Sequence, residues 1–132
     1  MTRREDRRVA IDILYQADIT DAAPASVVAG WRHVGREVPP FAQALVDGGA
    51  DRFPDIDLLL ETHAEGWTVR RMASLDRTIL RVGVYELLWS DDVPTSVAIS
   101  EAVEAAAELS AADAKGFVNG VLGRIAREEG VA

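Results

Sequence analysis

Residues 74–89 read SLDRTILRVGVYELLW, and the fold follows from this stretch. Leu75, Ile79, Leu80, Val82, Val84, Leu87 and Leu88 surround most of a helix drawn through 75–89. Their spacing carries the helical period and none of the alternation of a strand. A helix that is apolar on nearly every side belongs inside a core. Its one polar stripe, Arg77, Arg81 and Tyr85, recurs at i, i+4 and i+8. Ser74 suits the N-cap, and Asp76 sits where the N-terminal dipole favours an anion. A helix of this kind needs others to cover it.

The flanking sequence supplies them. Toward the N-terminus, 55–66 is helical with Ile56, Leu59, Leu60 and Trp67 on one side, and 41–50 spaces Phe41, Leu45, Val46 and Gly49 helically. Arg52-Phe53-Pro54 reads as a break between them, because an internal proline removes a backbone donor. Residues 25–34 carry Val27, Val28 and Trp31, and residues 3–18 carry Val9, Ile13, Leu14 and Ala17. Toward the C-terminus, Pro94 opens a helix over 95–109, with Glu101, Glu104 and Glu108 facing solvent. Ser110 and Asp113 resemble a capping box for a last helix over 112–128. The expected architecture is all-α, about seven helices in two small packed bundles, divided near 1–52 and 53–132.

The chain has 132 residues, 14 basic against 22 acidic, for a net charge of −8. It contains no cysteine, which excludes disulfides, zinc–thiolate sites and thiol chemistry. No apolar run reaches the roughly 20 residues of a membrane span, and the first residues lack a signal-peptide core, so a cytoplasmic protein is expected. No catalytic constellation appears. Gly48-Gly49 lacks the Lys-Ser/Thr of a phosphate loop. The three glutamates lack the histidine of a carboxylate metal site, and His33 and His63 stand apart. Neither an enzymatic activity nor a cofactor is expected.

Two segments are unusual. Arg3, Arg4 and Arg7 share one side of the first helix, with Arg8 beside them. They read either as phosphate ligands or as a solvated terminus neutralised by Glu5 and Asp6. Phe117-Val118-Asn119-Gly120 places Asn-Gly inside a helix at a cost of about 1 kcal/mol. That implies either close helix packing at Gly120, with Phe117 in the core, or a contact surface.

The chain resembles the NusB family of transcription antitermination factors. The likeness rests on Arg4, Arg7, Ala10 and Leu14-Tyr15-Gln16, then Leu45-Val46-Asp47-Gly48. It continues through Leu75-Asp76-Arg77-Thr78-Ile79-Leu80-Arg81, Tyr85-Glu86-Leu87-Leu88, Val97-Ala98-Ile99-Ser100-Glu101-Ala102-Val103-Glu104 and Phe117-Val118-Asn119-Gly120-Val121-Leu122. The resemblance implies a heterodimer with NusE, a small-subunit ribosomal protein. Together the two bind single-stranded boxA RNA and join RNA polymerase with NusA and NusG, supporting rRNA transcription. It places RNA contacts at Arg3, Arg4, Arg7, Arg8, Lys115, Phe117 and Asn119, and partner contacts at Tyr15, Asp76 and Asp113. An acidic face would suit a basic ribosomal protein. Glu5 and Asp6 interrupt the arginines, and Lys115 is the only lysine, so weak RNA affinity is expected without the partner. An acidic scaffold for NusE with little RNA affinity of its own is the alternative. The choice between monomer and homodimer stays open.

Overall fold

The computed structural model describes residues 2–131, and among them every regular element is helical. In chain order these are α1 (Arg3–Thr20), α2 (Pro24–His33), α3 (Pro40–His63), α4 (Ser74–Trp89), α5 (Thr95–Leu109) and α6 (Ala114–Glu128). A 3-10 turn at Val69–Arg71 leads into α4. No helix is long and apolar enough to cross a membrane among the described residues.

α4 lies at the centre and packs against α1, α3, α5 and α6. Ile79, Leu80 and Val84 are at most 1% exposed, as expected for a helix covered all round. Gly83 is where α5 and α6 come close to α4. A Cβ there would lie 2.8 Å from Leu122 Cδ1 and 3.3 Å from the Ala102 Cβ, so its bareness lets α5 and α6 reach α4. The polar stripe of α4 is tied down. Arg77 donates to Asp18 at 2.5 Å, and Arg81 makes a two-pronged contact with Asp57 at 2.8 and 2.9 Å. Tyr85 lies over Gly48, where a Cβ would sit 2.2 Å from its hydroxyl.

Three local expectations are corrected. The break at Arg52–Pro54 does not occur, and α3 runs on through Pro54 for 24 residues. The helices therefore number six, and one of them crosses the expected division between 1–52 and 53–132. Pro54 is exposed, where water can satisfy the carbonyl it leaves unbonded. Gly49, Ile56 and Leu60, buried on either side of it, hold the helix together. Ser110 and Asp113 form no capping box. Asp113 occupies the N-cap of α6 without a side-chain bond, while the Ser110 hydroxyl donates to Asp76. Ser74 is the first residue of α4 rather than its cap, and its hydroxyl accepts from Arg77 at 3.1 Å. A capping box does exist at α1. The Thr2 hydroxyl accepts from the Glu5 amide at 3.1 Å, and Glu5 accepts from the Thr2 amide at 3.0 Å.

Candidate RNA and partner surface

The capped start of α1 carries the four arginines, and α5 lies against it. Each arginine meets a carboxylate. Arg3 reaches Asp92 at 2.6 Å, Arg4 grips both Glu101 oxygens at 2.7 and 3.2 Å, and Arg8 reaches Glu108 at 3.1 Å. Arg7 departs furthest from a phosphate role. Its side chain is 8% exposed and bonds both oxygens of the buried Glu86 at 2.7 and 2.9 Å, with Glu101 3.5 Å away. Two-pronged arginine–carboxylate geometry of this kind is the strong form of the interaction. Arg3 and Arg7 also lie over the Phe41 ring, 4.6 and 5.3 Å from its centre. Glu101 and Glu108 are thus ion-pair partners rather than a purely solvated face, and Glu104 alone of the three makes no salt bridge among the described residues.

Hydrogen bonding from Arg4, helped by the charges of Arg4, Arg7 and Arg8 and opposed by burial, holds the Glu101 carboxyl below its ordinary value of 4.5. A carboxyl with a depressed folded-state pKa contributes stability that is fully present above its unfolded value. That contribution is lost as pH falls through the folded value. The urea midpoint is therefore expected to drop on acidification below pH 4.5. In Glu101→Gln the midpoint is lower at neutral pH and changes less across the acid window. An identical acid slope in both proteins would remove Glu101 from the linkage.

Two grooves flank this face. One, of about 440 Å³, is lined by Ile11, Tyr15, Leu75 and Leu109, with Arg8 and Glu108 at its edge. Leu109 is 43% exposed. The other, of about 460 Å³, is lined by Phe117, Trp67, Arg71 and Met72, with Asp76 and Asp113 also on its wall. The residues expected to meet a partner are therefore split, with Tyr15 in the first groove and Asp76 and Asp113 in the second. Leu75 of the first groove and Asp76 of the second are consecutive residues of α4.

α6 presents the remaining candidates. Phe117 is half-buried and meets Trp67 edge to face, with ring centres 6.0 Å apart. Lys115 and Asn119, two residues before and after it, are exposed. Gly120 packs against nothing, since a Cβ there meets no atom within 4 Å, and Gly116 is equally open. Close packing is thus not the reason for Asn119-Gly120. Sequence reasoning passed over Leu109 and Arg71, and it set Trp67 on the apolar side of the 55–66 helix, whereas Trp67 follows α3 and is 50% exposed. An apolar residue at a helix end and a tryptophan beside Gly66 were the available signals, but each is exposed only because of how the chain returns.

The family model described as the NusB family matches residues 4–127. The chain belongs to the NusB family. The transcription antitermination protein NusB of Saccharopolyspora erythraea is 48% identical over 128 residues, covering 94% of this chain and 86% of the relative. That of Leifsonia xyli is 44% identical over 133 residues, covering 96% and 92%. Among solved structures, T. maritima NusB superposes with a TM-score of 0.87 at 30% identity, covering 97% of this chain and 92% of that one. A crystal structure of antitermination factors NusB and NusE in complex with dsRNA gives 0.83 at 25% identity, covering 97% and 99%. The long uninterrupted α3, the central α4 and the paired arginines of α1 are thus features of a NusB-family chain.

Proposed function

We propose that this chain is a transcription antitermination factor that pairs with NusE. The heterodimer binds single-stranded boxA RNA and joins RNA polymerase with NusA and NusG, supporting rRNA transcription. The observation that carries the RNA half is the open face of α6. There Phe117 is half-exposed, Lys115 and Asn119 are exposed, and Gly116 and Gly120 pack against nothing. Single-stranded RNA is read by aromatic stacking combined with cationic contacts. The groove at Tyr15, Leu75 and Leu109, with acidic Asp12 and Glu108 on its lining, suits a protein partner that is basic with an apolar anchor. A solved relative holding both NusE and RNA supports the pairing.

The scaffold reading draws on a different observation. All four arginines of α1 are already engaged by Asp92, Glu101, Glu86 and Glu108. RNA phosphates would have to displace those carboxylates, so the chain alone binds RNA weakly. The test is RNA affinity at two salt concentrations, with and without NusE. A large gain with NusE and a steep loss with salt support the heterodimer reading. NusE binding without a gain in RNA affinity supports the scaffold. Failure to bind NusE ends both.

Gly120 offers a sharper check. Gly120→Ala has room for its methyl group and gains about 1 kcal/mol of helix propensity, so the melting temperature rises. If the bare face receives RNA backbone, the same change weakens RNA binding. A variant that is both stabler and equally tight in binding would show that closeness at Gly120 is not used.

A further inference from the structure

Trp67 is the least satisfied large aromatic of the molecule. Trp31 is buried, and its indole N–H donates to Gln16 at 3.1 Å. Trp89 stacks on Tyr85 with ring centres 6.4 Å apart. Trp67 is 50% exposed, and its indole N–H has no hydrogen-bond partner among the described residues. Yet the backbone of the segment that carries it is tied by hydrogen bonds. The Trp67 amide donates to the Ala64 carbonyl at 3.0 Å, after a turn through Gly66 at φ 76°. The Val69 amide donates to Glu61 at 2.8 Å. Arg77 donates to the Val69 and Met72 carbonyls at 2.8 and 3.3 Å. An apolar ring on a tied backbone, packed edge to face on Phe117 and left half in water, offers an open surface to a planar ligand.

The cations point the same way. While the arginines of α1 are all paired, Arg71 is exposed, lines the same groove as Trp67 and Phe117, and makes no salt bridge among the described residues. Asp76 and Asp113 also line the groove. Phosphate is repelled from the carboxylates and drawn to Arg71, so the uncharged base is the part of a nucleotide that fits against the exposed ring surface.

Resting on the RNA reading above, we propose that Trp67 is a second base-stacking residue of the RNA site. Together with Phe117 it forms a two-ring platform, and Arg71 holds the adjoining phosphate. The site of single-strand contact then extends from α6 onto the segment before α4.

The test measures the affinity of the chain with saturating NusE for a labelled single-stranded RNA carrying boxA. Trp67→Ala is expected to lower affinity about 5- to 100-fold, the range of one lost base stack. Trp67→Phe, which keeps an aromatic face, restores most of it. Arg71→Gln weakens binding and reduces the slope of log affinity against log salt by about 0.7. RNA quenches the tryptophan emission of the parent protein more than that of Trp67→Phe, a readout independent of any loss of fold in the alanine variant. If Phe117→Ala weakens RNA binding and Trp67→Ala, Trp67→Phe and the quenching show no effect, the proposal is overturned and the RNA reading survives. If neither Phe117→Ala nor Trp67→Ala matters, both fall. If Trp67→Ala weakens NusE binding but not RNA affinity at saturating NusE, the groove is a protein site and the proposal is overturned.

Discussion

Glu86→Ala lowers the melting temperature by roughly 10–20 °C. The estimate follows from about 3–5 kcal/mol for breaking a buried ion pair, at a few degrees per kcal/mol for a domain of this size. Glu86 is 1% exposed and Arg7 is 7% exposed, so the change leaves a buried guanidinium facing a cavity. Glu101, 3.5 Å from Arg7 Nη1, compensates only in part because it is already held by Arg4. Replacing both partners with apolar residues, as in Arg7→Met with Glu86→Leu, recovers much of the loss, since no charge is then stranded. The double variant also bears on function. If Arg7 serves only to join α1 to α4, it binds NusE and RNA as the parent does. A thermal loss below 2 °C for Glu86→Ala would mean that solvent reaches the pair and that the network is not structural.

The second large effect lies one turn along α4, at Gly83. Leu122→Ala is expected to cost about 2–5 kcal/mol, the range for truncating a fully buried leucine. Leu122 is 0% exposed, and its methyl groups occupy the space that a side chain on Gly83 would fill. Gly83, against which it packs, has no side chain to swing into the vacated volume. Adding Gly83→Ala to Leu122→Ala is expected to return part of the loss by filling the gap and raising helix propensity, although Gly83→Ala alone crowds the parent. Urea unfolding of the four proteins gives the cycle. Additive effects would show that the two positions do not share the space.

These two sites differ in how visible they are in the sequence. The buried character of α4 follows from Leu75 through Leu88 alone, because a helix apolar on most sides has one destination. The stripe Arg77, Arg81 and Tyr85 was legible for the same reason. Arg7 was not, because an arginine near a terminus reads the same whether it faces water or Glu86, and the two are 79 positions apart. Its burial exists only once α1 lies on α4. Pro54 misled in the opposite direction. A local rule predicts a break, and tertiary contacts at Gly49, Ile56 and Leu60 outweigh it. Thr2 and Glu5 carried a plain capping signal that the neighbouring arginines overshadowed. Phe117 was visible as part of a motif, whereas Trp67 became a neighbour of Phe117 only through the return of the chain after α3.

The continuity of α3 has a consequence for how the molecule opens. This helix touches α1 and α2 near one end of the chain and α4 and α6 toward the other. The buried residues on both sides of it belong to one hydrophobic cluster. Amide hydrogen exchange at Leu45 and Leu60, on opposite sides of Pro54, should therefore be governed by one opening event of the same free energy. A fragment that ends or begins at the proline would leave each part with half a wall.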